Sequence, residues 1–195
     1  RLVMVRPWLS QVVEPTEAPP PDPRHPGTNL RLAWVFGCSQ QGASARSCAL
    51  AADGRAVYCA ARTAVVYGKA EHEQAYYRGH AHQITALAMA PGGRYAATGE
   101  RCPRPRVHVW DALTCRRITV LPEYHRQGIA ALAFSQDARR LISVGEDVDH
   151  TIVIWSSVSG EWYDARRQAA AKGNKKRVIF GFFCSPEKEY QLVTG

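Results

Sequence analysis

Gly79-His80-Ala81-His82-Gln83-Ile84-Thr85-Ala86-Leu87-Ala88-Met89 opens a segment that closes on Val107-His108-Val109-Trp110-Asp111, with Trp110 standing 30 positions after His80. The same interval separates His125 from Trp155, so the two histidines and the two tryptophans are each 45 residues apart. Between these anchors, Ile84-x-x-Leu87-x-Met89 matches Ile129-x-x-Leu132-x-Phe134, and Pro91-Gly92-Gly93-Arg94 matches Gln136-Asp137-Ala138-Arg139. A third copy starts near Gly173-Asn174, sets Phe183-Cys184-Ser185-Pro186 against Ala133-Phe134-Ser135-Gln136, and stops at Leu192-Val193-Thr194-Gly195, the counterpart of Ile142-Ser143-Val144-Gly145. Several residue types that recur together at fixed offsets mark one supersecondary unit laid down repeatedly.

The texture between the anchors is of short β-type runs broken by turn residues. Ala56–Ala60 follows Asp53-Gly54, Thr63–Tyr67 ends at Gly68, Ile84–Met89 stops at Pro91-Gly92-Gly93, and Tyr95–Thr98 stops at Gly99. Val107–Trp110 and Ile118–Leu121 complete a set of four. Strands at such spacing argue an all-β architecture. A period of about 40–45 residues, with Gly-His early and Trp-Asp late, is the WD-repeat pattern of four-stranded propeller blades. The fold expected is therefore a partial WD-repeat β-propeller of about three blades. Closure takes about four to eight, so this chain does not close the ring alone, and it is expected to end within a blade.

The repeat also accounts for its polar anchors. In WD-repeat families a His, a Ser or Thr, an Asp and a Trp of one blade form a buried hydrogen-bonded tetrad, and the resemblance implies His125, Ser143, Asp149 and Trp155 here. Such a network stabilises only when every member is satisfied. The first copy keeps His80, Thr98 and Trp110, but Arg104 stands at the Asp position between Pro103 and Pro105, which predicts an irregular turn and an incomplete tetrad. The third copy has Asn174 where a His is expected. A Ser143–His125–Asp149 catalytic triad is the competing reading. It would need an exposed hydroxyl beside an oxyanion hole, and the sequence has no nucleophile elbow, phosphate-binding loop or metal-binding His pair. His80 and His82 lack a third ligand nearby. No enzyme, cofactor or metal is expected.

Outward from the repeats the character changes. Pro15 to Pro26 holds six prolines, which remove amide donors and fix φ, so the stretch reads as an extended linker. Leu2–Val5 ahead of it looks like a short strand, and an Arg at position 1 suggests that the natural start lies upstream. Leu30–Phe36 reads as a strand ending at Gly37. Tyr163–Lys172 lacks a clear apolar face and reads as a loop or a short turn of helix. The expected division is a lead-in strand and Pro-rich linker over 1–28, a segment of the propeller over 29–68, and repeats over 69–195, split as 69–121, 122–165 and a truncated 166–195.

The 195 residues carry a net charge of +8 and a pI near 9.4, a balance that favours acidic partners. No run of about 18 apolar residues exists, so no membrane-spanning helix is expected. Six cysteines show neither Cys-x-x-Cys pairs nor zinc-finger spacing, and read as reduced thiols of a cytoplasmic protein. A nucleic-acid binder is prompted by the charge, but stacking aromatics interleaved with basic residues are missing, and no specific nucleic acid is expected.

Leu30-x-Leu32-x-Trp34-Val35-Phe36-Gly37, then Asp53-Gly54-x-x-Val57-Tyr58 and Ala64-Val65-Val66-Tyr67, resembles the HELP motif of the echinoderm microtubule-associated protein-like family. Tyr77-Arg78-Gly79-His80, Arg94–Gly99, His108–Ala112 and Ser143–Trp155 are similar to the family in the same order. The resemblance runs from Asn29 to Gly195, departing after Gly37, where members usually have an aromatic-Arg-Gly sequence. It implies that the 29–68 segment forms part of the propeller core, with Trp34, Val35 and Phe36 as packing residues. It also implies a non-enzymatic scaffold that binds tubulin through its propeller, in the cytoplasm and cytoskeleton and in the ciliary axoneme. A general WD-repeat adaptor within a multiprotein complex is the alternative. Candidate contacts to acidic tubulin are Arg101, Arg104 and Arg106 on one turn, and the run Arg166, Arg167, Lys172, Lys175, Lys176 and Arg177 where two blades are linked.

Overall fold

A computed structural model describes residues 16, 17, 20, 23, 24, 27–38, 48–173, 181–183 and 192–194, the last two segments for their backbone alone. The chain divides into two compact units, residues 1–33 and 34–195. The described residues of the first unit contain neither helix nor strand, and Leu30 is fully exposed. The strand expected over Leu30–Phe36 does not form. The proposed strand at Leu2–Val5 lies outside the described residues.

The second unit is built from antiparallel sheets in chain order. The first holds β1 (Cys48–Leu50), β2 (Ala56–Ala60), β3 (Thr63–Gly68) and β4 (Glu73–Tyr77). The second holds β5 (Ile84–Met89), β6 (Tyr95–Glu100), β7 (Val107–Asp111) and β8 (Arg116–Leu121). The third holds β9 (Ile129–Phe134), β10 (Arg140–Gly145), β11 (Ile152–Ser156) and β12 (Arg166–Ala171). A hairpin of β13 (Gly181–Phe183) and β14 (Leu192–Thr194) begins the third copy. This is an all-β, unclosed portion of a propeller.

Why these segments form sheets follows from their two-sided burial. β6 is buried along its whole length, because alternate residues face opposite neighbours. Ala96 packs with Val57, Val66 and Trp110 against the first sheet, while Ala97 packs with Val109, Ile129 and Trp155 against the third. A continuous apolar strand of this kind belongs between two layers. A further cluster of Ala131, Ile142 and Val144 covers the opposite face of the third sheet.

Two boundaries shift. β4 is the outer strand of the first sheet, so the division at residue 68 falls inside that sheet. Tyr163–Lys172 begins with the short helical turn expected of it but is otherwise strand. A single 3-10 turn at Trp162–Asp164 leads into β12, which pairs with β11 and completes the third sheet, so the division at 165 also moves.

The turns gather at two ends of the sheets and are stitched across neighbours by backbone bonds. At one end the Ile84 amide donates to the Ala61 carbonyl at 2.8 Å, Arg101 to Gln83 at 2.9 Å and Glu146 to Gly128 at 2.8 Å. At the other, Ala52 donates to Gly93 at 2.9 Å and Ser157 to Arg139 at 2.9 Å. Gly93 has φ +70°, and a Cβ there would stand 2.4 Å from the Ala52 nitrogen, so this turn accepts no side chain. The first end, where His80 and His125 lie, is called the histidine end below.

Candidate functional site

In the third sheet the expected anchors meet, with one exchange. The Trp155 indole N–H donates to Ser143 Oγ at 2.8 Å, and Ser143 lies 2.6 Å from His125 Nε2. His125 Nδ1 lies 2.9 Å from Thr151 Oγ1, whose hydroxyl donates to Asp147 Oδ2 at 2.6 Å. The direction of donation follows from the ends of the chain. The carboxylate can only accept and the indole can only donate, so Ser143 donates to Nε2 and Nδ1–H donates to Thr151. Burial pushes His125 down to about 4 despite the nearby Asp147 carboxylate, which keeps the ring neutral as this relay needs. Burial acts to raise Asp147, but hydrogen bonds from the Thr151 hydroxyl and amide outweigh it and hold the carboxyl below its usual range.

Asp149 is therefore not the acidic member. Its side chain is more than half exposed and pairs with Lys172 at 3.2 Å, whereas Asp147 is buried. Ser143 is fully buried, so the triad reading lacks a nucleophile that a substrate could reach.

The first copy is complete rather than degraded. Trp110 Nε1 donates to Thr98 Oγ1 at 3.1 Å, Thr98 lies 2.8 Å from His80 Nε2, and His80 Nδ1 lies 3.1 Å from Glu100 Oε2. Glu100, not residue 104, supplies the carboxylate, from within β6. Burial alone would raise its pKa. The hydrogen bond and electrostatic pull of His80, with the His82 amide at 3.3 Å, instead hold it at about 2.

Two residues absent from the sequence expectation extend this network across the sheets. The Tyr77 hydroxyl, from the end of β4, meets His108 Nδ1 at 2.7 Å, and the Tyr77 ring stacks on Trp110 at 4.8 Å. His108 stacks on His80 at 3.9 Å. Burial, then the neighbouring His80, pushes His108 down to about 3, so its unprotonated ring nitrogen accepts a hydrogen bond donated by the Tyr77 hydroxyl. Burial holds Tyr77 up at about 12. The available signal was their place beside the anchors: Tyr77 three residues before His80, and His108 two before Trp110.

The 34–36 segment is held from its side. Gln74 Oε1 accepts the Val35 amide at 2.8 Å while Nε2 donates to the Val35 carbonyl at 3.1 Å. Trp34 packs on His72 at 4.8 Å and edge-on to Tyr67 at 6.1 Å. Trp34 and Val35 are partly buried, but Phe36 is 85% exposed and is not a core residue.

Four of the six expected partner contacts that lie among the described residues are already engaged, Lys172 with Asp149 as above. Arg101 forms a two-pronged pair with Glu146, one arm at 2.7 Å, and Arg106 pairs with Glu123 at 3.3 Å. Arg167 sits over the Tyr124 ring at 4.9 Å. Arg104 and Arg166 are exposed with no ion pair among the described residues. Lys175, Lys176 and Arg177 lie outside them, as does Asn174. Burial raises the Cys59 thiol to about 12 and also raises Cys102 and Cys115, so none of these three is an activated thiolate at neutral pH.

Repeated four-stranded antiparallel sheets, the second and third each tied by a His–Ser/Thr–Trp network, define a segment of a WD-repeat propeller. The WD domain, G-beta repeat family matches residues 72–111 and 115–156. One chain in the crystal structure of a mitotic checkpoint complex shares the fold, with TM-score 0.62 at 20% identity over 76% of this chain and 45% of that one. Among curated proteins, echinoderm microtubule-associated protein-like 2 of Rattus norvegicus is 29% identical over 182 residues, which is 87% of this chain and 27% of that protein. Centriole proteome protein 16 of Chlamydomonas reinhardtii is 29% identical over 163 residues, 67% of this chain and 8% of that protein. The chain carries WD40 repeats and is similar in sequence to proteins of the echinoderm microtubule-associated protein-like family. It spans about a quarter of the length of the first of these relatives.

Proposed function

We propose that this chain is part of a non-enzymatic, microtubule-associated scaffold that binds tubulin through its propeller, on cytoplasmic and ciliary microtubules. The observation that carries the reading is the likeness to an echinoderm microtubule-associated protein-like protein over 87% of the chain. The likeness to a centriole proteome protein supports the ciliary part of it. Physically, the buried networks supply a rigid frame and the turns are left to make contacts, which is how such scaffolds present a binding surface. A net charge of +8 suits the acidic surface of tubulin. We read residues 29–68 as a HELP-type element of the propeller, with Trp34 packed on its first sheet.

The test is sedimentation of the intact protein with polymerised tubulin across a salt series. Co-sedimentation that weakens steeply with ionic strength is the expected result. No co-sedimentation at low salt, with stable capture of other proteins, would replace the reading with that of a general WD-repeat adaptor.

A further inference from the structure

We infer that the histidine end of the sheets is a docking surface for an extended glutamate- and aspartate-rich polypeptide, read by Arg62, Arg78, Arg104 and Arg126. The choice of tubulin as the source of that polypeptide rests on the function proposed above; the surface itself rests on the charges.

The argument begins with which charges remain available. Each acidic side chain at this end is already engaged within the protein. Glu100 bonds His80, and Asp147 bonds Thr151. Glu123 pairs with Arg106, Glu146 with Arg101, and Asp149 with Lys172. The four remaining arginines are exposed and have no ion pair among the described residues. Arg62 lies in the β2–β3 turn, Arg78 just after β4, Arg104 in the β6–β7 turn and Arg126 between β8 and β9. Backbone bonds from Ile84 to Ala61, Arg101 to Gln83 and Glu146 to Gly128 place these turns together across consecutive sheets. The surplus is therefore a row along one end, carried by a rigid frame.

The opposite end shows no such surplus. Its turns and adjoining strand ends carry Asp53, Glu71, Glu73, Asp111, Asp137, Glu161 and Asp164 against Arg55, Lys69, Arg94, Arg116, Arg139, Arg140 and Arg166. An acidic chain is thus drawn to the histidine end in preference to the other, which orients the encounter as well as strengthening it. Guanidinium groups suit carboxylates, because each can form two parallel hydrogen bonds with one carboxylate.

A polypeptide is favoured over a nucleic acid for a specific reason. Binding of single strands uses open aromatic faces between the cations. Tyr124, an exposed aromatic of this end, already has its ring covered by Arg167.

The test uses the intact protein, a fourfold reversal (Arg62→Glu, Arg78→Glu, Arg104→Glu, Arg126→Glu) and a control reversal at the other end (Lys69→Glu, Arg139→Glu). A labelled oligoglutamate peptide is titrated by anisotropy, with sedimentation on polymerised tubulin in parallel. The wild type and the control are expected to bind the peptide alike, and the fourfold reversal to weaken it roughly tenfold or more, with loss at high salt. Peptide binding unchanged by the fourfold reversal, or none by the wild type, overturns the inference. So does an oligonucleotide of equal charge that binds more tightly than the peptide through the same arginines. If the peptide arm behaves as expected while wild type fails to sediment with tubulin, the tubulin reading falls and the acidic-polypeptide surface stands. Matching circular dichroism and melting of the variants guard against misfolding; if the reversal does not fold, four arginine-to-glutamine replacements carry the same comparison.

Discussion

Glu100 and Gly145 stand at the same place in consecutive repeats, two residues after Thr98 and Ser143, and they solve one problem in opposite ways. In the second sheet the Glu100 carboxylate reaches His80 directly. In the third, a Cβ at residue 145 would stand 2.4 Å from Asp147 Oδ2 and 2.7 Å from His125 Nδ1. The space that one repeat fills with its own strand residue is filled in the next by Asp147 from the following turn, acting through Thr151. Each histidine has its Nδ1 satisfied, which a buried donor requires.

This exchange distinguishes two neighbouring aspartates. Asp147→Ala removes the acceptor of both the Thr151 hydroxyl and amide in a buried place and is expected to cost about 2 kcal/mol or more. Asp149→Ala loses only an exposed pair with Lys172 and is expected to stay within about 0.5 kcal/mol of wild type. Chemical denaturation of the intact protein measures both. Equal losses would show that the Thr151 relay does not hold the third sheet together.

Tyr77 and His108 couple the first two sheets through one hydrogen bond. Tyr77→Phe strands a ring nitrogen and His108→Val strands a hydroxyl, each at a cost of about 1–3 kcal/mol. The double variant removes both partners and places valine where the next repeat has Val153. Its loss is expected to be smaller than the sum of the two single losses by about 1 kcal/mol. Strict additivity in this cycle would mean the contact contributes nothing to joining the sheets.

The parts of the fold legible in the sequence are those where spacing and burial coincide. His80, Trp110, His125 and Trp155 announce themselves because the network needs those side chains at strand ends, and the runs between them are apolar because β5, β6, β9 and β10 lie between layers. β12 was not legible. Arg166–Ala171 is exposed throughout and has no alternation, since it is an outer strand whose register is set by pairing with β11. The acidic partner of His125 was misplaced because an offset counts positions, whereas the turn 146–151 offers Glu146, Asp147 and Asp149, and the fold of that turn decides which faces inward. Glu100 did carry a signal: an acidic residue closing an apolar strand must find a partner if buried. The family resemblance implies Phe36 as a packing residue, yet the segment is held mainly through Val35's backbone and the Trp34 ring.

That attachment depends on Gln74, whose side-chain amide imitates a strand partner for Val35. Gln74→Ala removes both bonds, each worth about 1 kcal/mol, together with its bonds to the partly buried Tyr58 and Tyr76 hydroxyls, and leaves Trp34 with only its ring contacts. Faster hydrogen exchange at the Val35 amide and a red-shifted tryptophan emission component are the expected outcome, with a modest loss of stability from the Tyr58 and Tyr76 hydroxyls left without Gln74. Exchange at Val35 as slow as in the wild type would show that Trp34 alone holds the segment.

Acid sensitivity is built into the same networks. His125 titrates near 6.5 when unfolded but at about 4 in the fold, where burial disfavours its charged form. Between those values the unfolded chain binds more protons than the folded one, so stability falls as pH falls. The contribution is fully present above about 6.5 and is gone below about 4, and for this deeply buried ring it is on the order of 3 kcal/mol. His108, held at about 3, acts in the same direction and extends the window downward. Glu100 adds to it for the opposite chemical reason: its carboxylate is held at about 2 against an ordinary 4.5, so its contribution is present above 4.5 and lost as pH approaches 2. Denaturation midpoints of the intact protein are therefore expected to drop between pH 7.5 and 5, and the drop should be smaller in His108→Val, which cannot take up that proton when unfolded. Stability equal or greater at pH 5 would mean that the buried rings are charged in the fold, and the donation order from Trp155 to Asp147 would then be wrong.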